Sequence, residues 1–328
     1  MKKISIVGIE GSGKTVLASI LGEKYAAPDK NNLSLKAKTS KTFEFCTSIV
    51  AAMRKGEWPQ ATLPGEMSCL EWQLLYHKKS ASTTVLGDIM LLDFAGEVYR
   101  QAFGKRSKED VLIDFQEDVT ELRSHVAKSD VLIVMVNLKD VVNVDRTNPR
   151  TLEMLWLTQD IIEYAKSHGV GDVAIALSQS DRYSQIIRYC GNPKNTFKKY
   201  MTHVDSAFPK IPVFSISAVD KVVLNGSVEV PAMDFNSTGL DELVKWISKR
   251  VSDKSKNIFL GLFLIISALL YYYDFTVCSV VLFVLGALGY FCHRLLSRLF
   301  YRLKNKDLLR SLWTNIHEAI KKVKNIKG

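Results

Sequence analysis

Eight residues near the start of the chain, Gly8-Ile9-Glu10-Gly11-Ser12-Gly13-Lys14-Thr15, have the spacing G-x-x-x-x-G-K-[ST]. Glycines at these places let the backbone curl until its N–H groups point at phosphate oxygens, and a helix that follows adds its positive end. In such a P-loop Lys14 reaches the β- and γ-phosphates of a nucleotide and Thr15 gives its hydroxyl to Mg²⁺, with Val16 next on the helix. A second group, Met90-Leu91-Leu92-Asp93-Phe94-Ala95-Gly96-Glu97, is an apolar strand that ends in a carboxylate. Asp93 at that edge suits a Mg²⁺ ion held directly or through water. Gly96 allows its backbone N–H to approach a γ-phosphate. D-x-x-G alone is a weak pattern, and its place after a P-loop gives it weight.

These residues need particular elements beneath them. Residues 3–7 read as a short buried strand and residues 14–26 as a helix with Val16, Leu17, Ile20 and Leu21 on one face. Further strands are expected at Glu71–Tyr76, Thr84–Phe94, Asp130–Val136, Asp172–Leu177 and Ile211–Ser215. Helical patterns fill 109–127, 150–167, 182–202 and 239–252. Strands separated by helix-length segments predict an α/β fold, a mostly parallel sheet in a three-layer sandwich. Glu71–Tyr76 and Thr84–Phe94 are separated by a polar turn and are expected to form an antiparallel hairpin at the sheet edge. Residues 27–68 show no clean period and are expected to be loops around a short helix near Phe43–Met53.

With these motifs in these places, residues 1–250 resemble the translation-factor-related class of P-loop GTPases, which includes Ras, Arf and the β subunit of the signal recognition particle receptor. The resemblance implies GTP as substrate, GDP as product and Mg²⁺ as cofactor. It implies that Ser178, Gln179 and Asp181 form the base-reading loop, with Asp181 accepting hydrogen bonds from guanine N1 and N2. It implies that Ser217-Ala218 is the second base loop, with the Ala218 N–H aimed at guanine O6. Two positions depart from the class. Its Asn/Thr-Lys is Ser178-Gln179 here, and glutamine covers the base less well than a lysine stem, which leaves ATP open. Its catalytic glutamine is Glu97 here, which could orient water but would also repel phosphate. The threonine that closes over Mg²⁺ is expected within 35–50, where Thr39, Thr42 and Thr47 all qualify and Thr42 is preferred. Catalysis is thus assigned to Lys14, Gly96 and Glu97, and the metal to Thr15, Asp93 and Thr42.

The rest of the chain is of another kind. Of 328 residues, the last 80 carry the whole formal net charge of +10, and residues 1–248 are neutral. That distribution points away from a nucleic-acid-binding core and toward a tail that meets anionic lipid or an acidic partner. Residues 251–257 are a basic linker. In 258–292 the one charged residue, Asp274, divides two apolar runs, which predicts a two-helix transmembrane hairpin. Basic flanks place the nucleotide-binding domain and both termini in the cytoplasm. Residues 293–328 read as a basic amphipathic helix, to lie on the membrane, on the nucleotide-binding domain or on a second copy.

Five cysteines without metal or C-x-x-C spacing are expected to be reduced thiols. The six histidines form no ligand pair. Trp58, Trp72 and Trp156 are expected to serve packing rather than base stacking. The expected function is a membrane-anchored GTPase switch whose loops near 35–55 and 94–110 are ordered by nucleotide, with a protein effector or activator and with self-association allowed. A dynamin-like remodelling GTPase and a non-hydrolysing nucleotide-binding receptor subunit are the alternatives.

Overall fold

The structure, a computed structural model, describes residues 1–60, 68–78, 82–104, 116–142 and 149–252. Seven strands form the main sheet: β1 (Lys2–Gly8), β2 (Leu33–Ala37), β3 (Ser68–His77), β4 (Thr83–Asp93), β5 (Val131–Asn137), β6 (Asp172–Ser178) and β7 (Val213–Ser215). Their order is β2-β3-β4-β1-β5-β6-β7, parallel from β4 through β7, with β3 antiparallel to both β2 and β4. The helices are α1 (Lys14–Lys24), α2 (Ser40–Arg54), α3 (Gly96–Phe103), α4 (Gln116–Lys128), α5 (Leu138–Val142), α6 (Pro149–Ser167), α7 (Ser184–Cys190), α8 (Pro193–Tyr200), α9 (Thr202–Ala207) and α10 (Leu240–Val251). A separate two-stranded ribbon joins β8 (Val222–Asn225) to β9 (Val228–Pro231).

Period-two burial divides the core into two layers. From β1 and β5, Ile4, Ile6, Val131, Ile133 and Met135 face one side, where Leu17, Leu21, Met53, Leu243 and Ile247 of α1, α2 and α10 cover them. Val7, Leu132, Val134 and Val136 face the other, against Tyr99, Leu122, Ile161 and Phe197 of α3, α4, α6 and α8. Central strands buried on both faces must be continuous apolar runs, and β5 (VLIVMVN) is buried at every position. This is the predicted three-layer α/β sandwich, and it fits a P-loop NTPase. Parallel strands all end on one edge, so Gly8, Asp93, Asn137 and Ser178 terminate β1, β4, β5 and β6 on the same side. Ligands of open α/β sheets bind outside that edge.

Several expectations are corrected. The β3–β4 hairpin is antiparallel, but it does not stand at the sheet edge, because β2 pairs with β3 from Leu33↔Tyr76 to Ala37↔Trp72. The segment 27–68 therefore holds a strand and a fifteen-residue helix. β2 is only five residues long, and its period-two signal (Leu33 and Leu35 buried) is too short to stand out. The loops expected around 35–55 and 94–110 contain α2 and α3. The helix expected over 182–202 is broken at Gly191-Asn192-Pro193. Asn192 caps α8 by accepting the Asn195 N–H at 2.8 Å, and Pro193 occupies its first turn. The β8–β9 ribbon was not anticipated, although Asn225-Gly226 between valine-rich runs is a hairpin signal.

Among the described residues no helix is long and apolar enough to cross a membrane. The linker beyond Ser252, the hairpin 258–292 and the tail 293–328 lie outside the described residues. Within them, Cys46, Cys69 and Cys190 are free thiols.

Candidate functional site

The loop between β1 and α1 is shaped by what a side chain would strike. A Cβ added at Gly8 would lie 2.7 Å from Ser12 Oγ and 2.8 Å from the Met135 carbonyl oxygen, so only glycine lets the loop fold back onto β5. Gly13 takes φ +79° as it enters α1, a conformation that glycine adopts freely. Ser12 N–H donates to the Ile9 carbonyl at 3.2 Å, closing the turn. Asn137, the last residue of β5, donates from Nδ2 to the Gly11 carbonyl at 3.1 Å and holds the loop from outside.

Lys14 is buried within the first turn of α1. Its Nζ donates to the Ile9 carbonyl at 3.4 Å, lies 3.9 Å from Asp93 Oδ1 and stands 5.0 Å from the centre of the Tyr99 ring. Burial pulls its pKa below the ordinary lysine range, and the carboxylates of Asp93 and Glu10 act against that shift. Asp93 itself is only 3 % exposed. The Thr15 hydroxyl donates to Asp93 Oδ2, so residues 78 positions apart present a hydroxyl and a carboxylate together. Ser12 Oγ is buried without a hydrogen-bond partner.

The other end of the cleft is built by the ends of β6 and β7. The Ile216 N–H donates to the Leu177 carbonyl at 2.9 Å and the Ser180 N–H to the Ile216 carbonyl at 3.2 Å, which ties the two loops together. Ser217 Oγ donates to Asp181 Oδ1 at 2.6 Å and fixes that carboxylate. Gln179 lies in the left-handed region at φ +57°, and its Oε1 is buried without a partner.

A cleft of about 440 Å³ joins the two ends. Of the predicted residues, Glu10, Gly11, Gly13, Lys14, Thr15, Val16, Asp93, Gly96, Ser178, Gln179, Asp181, Ser217 and Ala218 line it. Gly8 and Ser12 support it from behind. Two predicted residues are not brought to it. Thr42 is buried in the first turn of α2, where its hydroxyl accepts from Thr39 Oγ1 at 3.0 Å and from the Glu71 N–H at 3.2 Å. Glu97, within α3, does not line the cleft, and its carboxylate pairs with Arg100 at 2.9 Å.

The structure also adds residues that the sequence reading missed. Trp58 lines the cleft and donates from Nε1 to the Glu229 carbonyl of β9 at 2.8 Å. Arg182, next to Asp181, lines it too and pairs with the Glu229 carboxylate at 2.5 Å. The ribbon thus clips the segment after α2 to the loop after β6. Asn137 could have been suspected as the polar end of an apolar strand.

No family model and no curated protein matches the chain. Three solved structures to which it is similar are a variant of Aquifex aeolicus Era bound to GDP·AlF4⁻, a bacterial selenocysteine-specific elongation factor (EF-Sec) and a nucleolar GTP-binding protein 1 of Plasmodium falciparum. Identity to Era is 18% with a TM-score of 0.37, over 76% of this chain and 57% of that one. For EF-Sec the values are 12% and 0.32, over 66% and 26%. For the Plasmodium protein they are 13% and 0.37, over 81% and 95%. The chain therefore spans little more than half of the Era chain and about a quarter of EF-Sec.

Proposed function

We propose that the chain binds a guanine nucleotide in this cleft and hydrolyses GTP to GDP and phosphate. The observation that carries the reading is the juxtaposition, in one cleft, of the Lys14–Thr15–Asp93 cluster with the Asp181–Ser217 pair. The first is a phosphate and metal site, and the second is a carboxylate oriented for the two N–H donors of guanine. The distance between the two ends is bridged by one continuous lining, as a nucleotide requires.

The donor set fits Mg²⁺. Thr15 and Asp93 offer oxygen only, and Mg²⁺ is commonly held by one or two protein oxygens together with substrate phosphates and water. Among the described residues no group of three or more His, Cys, Asp or Glu could hold a metal without such help. Thr15 and Asp93 would hold the ion, which would supply neutralisation of phosphate charge. Lys14 then carries the cation opposite the β- and γ-phosphates, the loop amides orient them, and the Gly96 N–H faces the terminal phosphate. Burial makes each of these interactions stronger than it would be in water.

The Glu97–Arg100 pair favours a second reading of turnover. A carboxylate held by arginine is not free to activate water, so the isolated chain hydrolyses slowly and holds nucleotide until a partner rearranges α3. A partner-supplied arginine raises rates in such enzymes by ~10³–10⁵. A nucleotide-holding receptor subunit is the limit of that reading.

We further propose residues 1–250 as the nucleotide-binding domain, 258–292 as a two-helix membrane anchor and 293–328 as a cytoplasmic basic helix. The output would be recruitment of a protein partner at the membrane face. Support comes from the apolar sequence of 258–292 and its basic flanks. Protease protection of a tag at Asp274 distinguishes a full crossing from a hairpin dipping into one leaflet. For the nucleotide, calorimetry of the full-length chain in detergent with GTP and with ATP, each with Mg²⁺, is decisive. Heat with GTP alone is expected, and equal affinity for ATP would overturn the role of Asp181.

A further inference from the structure

Glu10 occupies a place in the glycine loop that matters for the third phosphate. A Cβ placed on Gly96 would lie 2.8 Å from Glu10 Oε2 and 2.9 Å from Glu10 Cβ, so the glutamate side chain lies flat against that glycine. Glu10 and Gly96 both line the main cleft, and both also line a second, polar cleft of about 360 Å³ with Arg100, Asn137 and Lys139. The Glu10 charge is felt at Lys14, on the other side of the same space. A terminal phosphate reading both the Lys14 ammonium and the Gly96 N–H enters beside the Glu10 carboxylate.

We propose that Glu10 makes the cleft discriminate by phosphate number, favouring the diphosphate over the triphosphate. The proposal rests on the reading of the cleft as a guanine-nucleotide site. Its physics is local. The β-phosphate lies deeper, under the loop amides and the start of α1, and is spared most of the repulsion. The γ-phosphate meets the carboxylate at close range, where like charges repel. Triphosphate binding therefore requires Glu10 to leave Gly96, and Lys139 in the neighbouring cleft offers positive charge for it to turn toward. Glu10 is exposed, so its displacement needs no repacking of the core. The residue thereby sets how readily the chain exchanges a resting diphosphate state for a triphosphate state.

The test compares GDP with a non-hydrolysable GTP analogue, each displacing fluorescent GDP from the full-length chain in detergent with Mg²⁺. The unaltered chain is expected to prefer GDP. Glu10→Gln keeps the shape and removes the charge. It should shift the ratio of the two dissociation constants toward the triphosphate about tenfold, equivalent to about 1.4 kcal/mol. Glu10→Lys should shift the ratio further in the same direction. An unmoved ratio in both variants, or GDP and the analogue changing by one common factor, overturns the proposal while leaving the site intact. Failure of the unaltered chain to bind either nucleotide overturns the site and this proposal together.

Discussion

Replacing Asp181 by asparagine isolates base recognition from everything else in the cleft. Ser217 Oγ donates to Asp181 Oδ1 at 2.6 Å and also lies 2.9 Å from the Val219 carbonyl oxygen, so the side chain is held in one orientation. Asparagine keeps an oxygen for Ser217 and puts an NH2 group where the second carboxylate oxygen was. Guanine presents two donors there, N1–H and the 2-amino group; the retained oxygen can still accept one, and the other loses a charge-assisted hydrogen bond. At about 1.5–3 kcal/mol, that loss is roughly 10–10² in dissociation constant. The phosphate end is untouched, and a ligand matched to the new NH2 group should recover affinity. Xanthosine diphosphate, with oxygen at position 2, is that ligand. Competition of GDP, xanthosine diphosphate and ADP against a fluorescent nucleotide reads all three affinities. The expected result is a fall for GDP with a gain for the xanthine nucleotide. Undiminished GDP binding, or an equal fall for GDP and ADP, would refute base reading by Asp181.

Other perturbations reach different links of the same structure. Gly8→Ala puts a methyl 2.7 Å from Ser12 Oγ and 2.8 Å from the Met135 carbonyl oxygen. Such overpacking costs about 1–3 kcal/mol, and both a lower melting temperature and a smaller stabilisation by GDP should follow. Asp241 ties α10 to α1 through Lys24 Nζ at 2.8 Å and the Tyr25 hydroxyl at 2.7 Å, and these two hydrogen bonds hold its carboxyl below the ordinary aspartate range. A depressed carboxylate pKa stabilises the fold fully above about pH 4 and is lost as pH falls below that value. Asp241→Asn should therefore lower the urea midpoint at pH 7, and the difference from the unaltered chain should narrow as pH falls below about 4. Trp58 lines the cleft and is 40% exposed, so its emission should change when nucleotide binds. The change should vanish in Trp58→Phe and shrink in Glu229→Pro, which perturbs the ribbon strand whose carbonyl holds the indole.

How far the sequence revealed the fold depended on burial. β1, β5 and β6 are buried on both faces, and such strands must be written as unbroken apolar runs, so their limits were legible to within a residue or two. β2 is short, and the 27–68 segment around it is rich in lysine, serine and threonine, so pairing with β3 and not composition makes it a strand. α7 and α8 were read as one helix because their polar surface repeats continue across Gly191-Asn192-Pro193. The break is a backbone event, with Gly191 at φ +89° and a proline opening the next helix.

The site was legible where a single segment carries the chemistry and illegible where the chemistry is shared. The glycine loop states its own function, because the residues that curl it and the residues that use it are adjacent. Asp93 was legible for a related reason: a carboxylate that ends an apolar strand has to stand at the sheet edge. Thr42 shows the opposite case. Its hydroxyl is engaged by Thr39 within its own helix turn and by the Glu71 backbone 29 residues away, and no local pattern distinguishes that use from a metal-directed one. The clip made by Trp58, Arg182 and Glu229 spans 171 residues and joins three segments, and none of its three residues belongs to a motif. It also bears on the departure at Gln179. Besides Gln179, the cleft is walled by an indole and a guanidinium, each held by the same glutamate. Two flat, weakly hydrated groups of this kind can cover a purine face. Under the proposed reading these two groups would enclose the base where Gln179 covers it poorly, and Asp181 would read its edge.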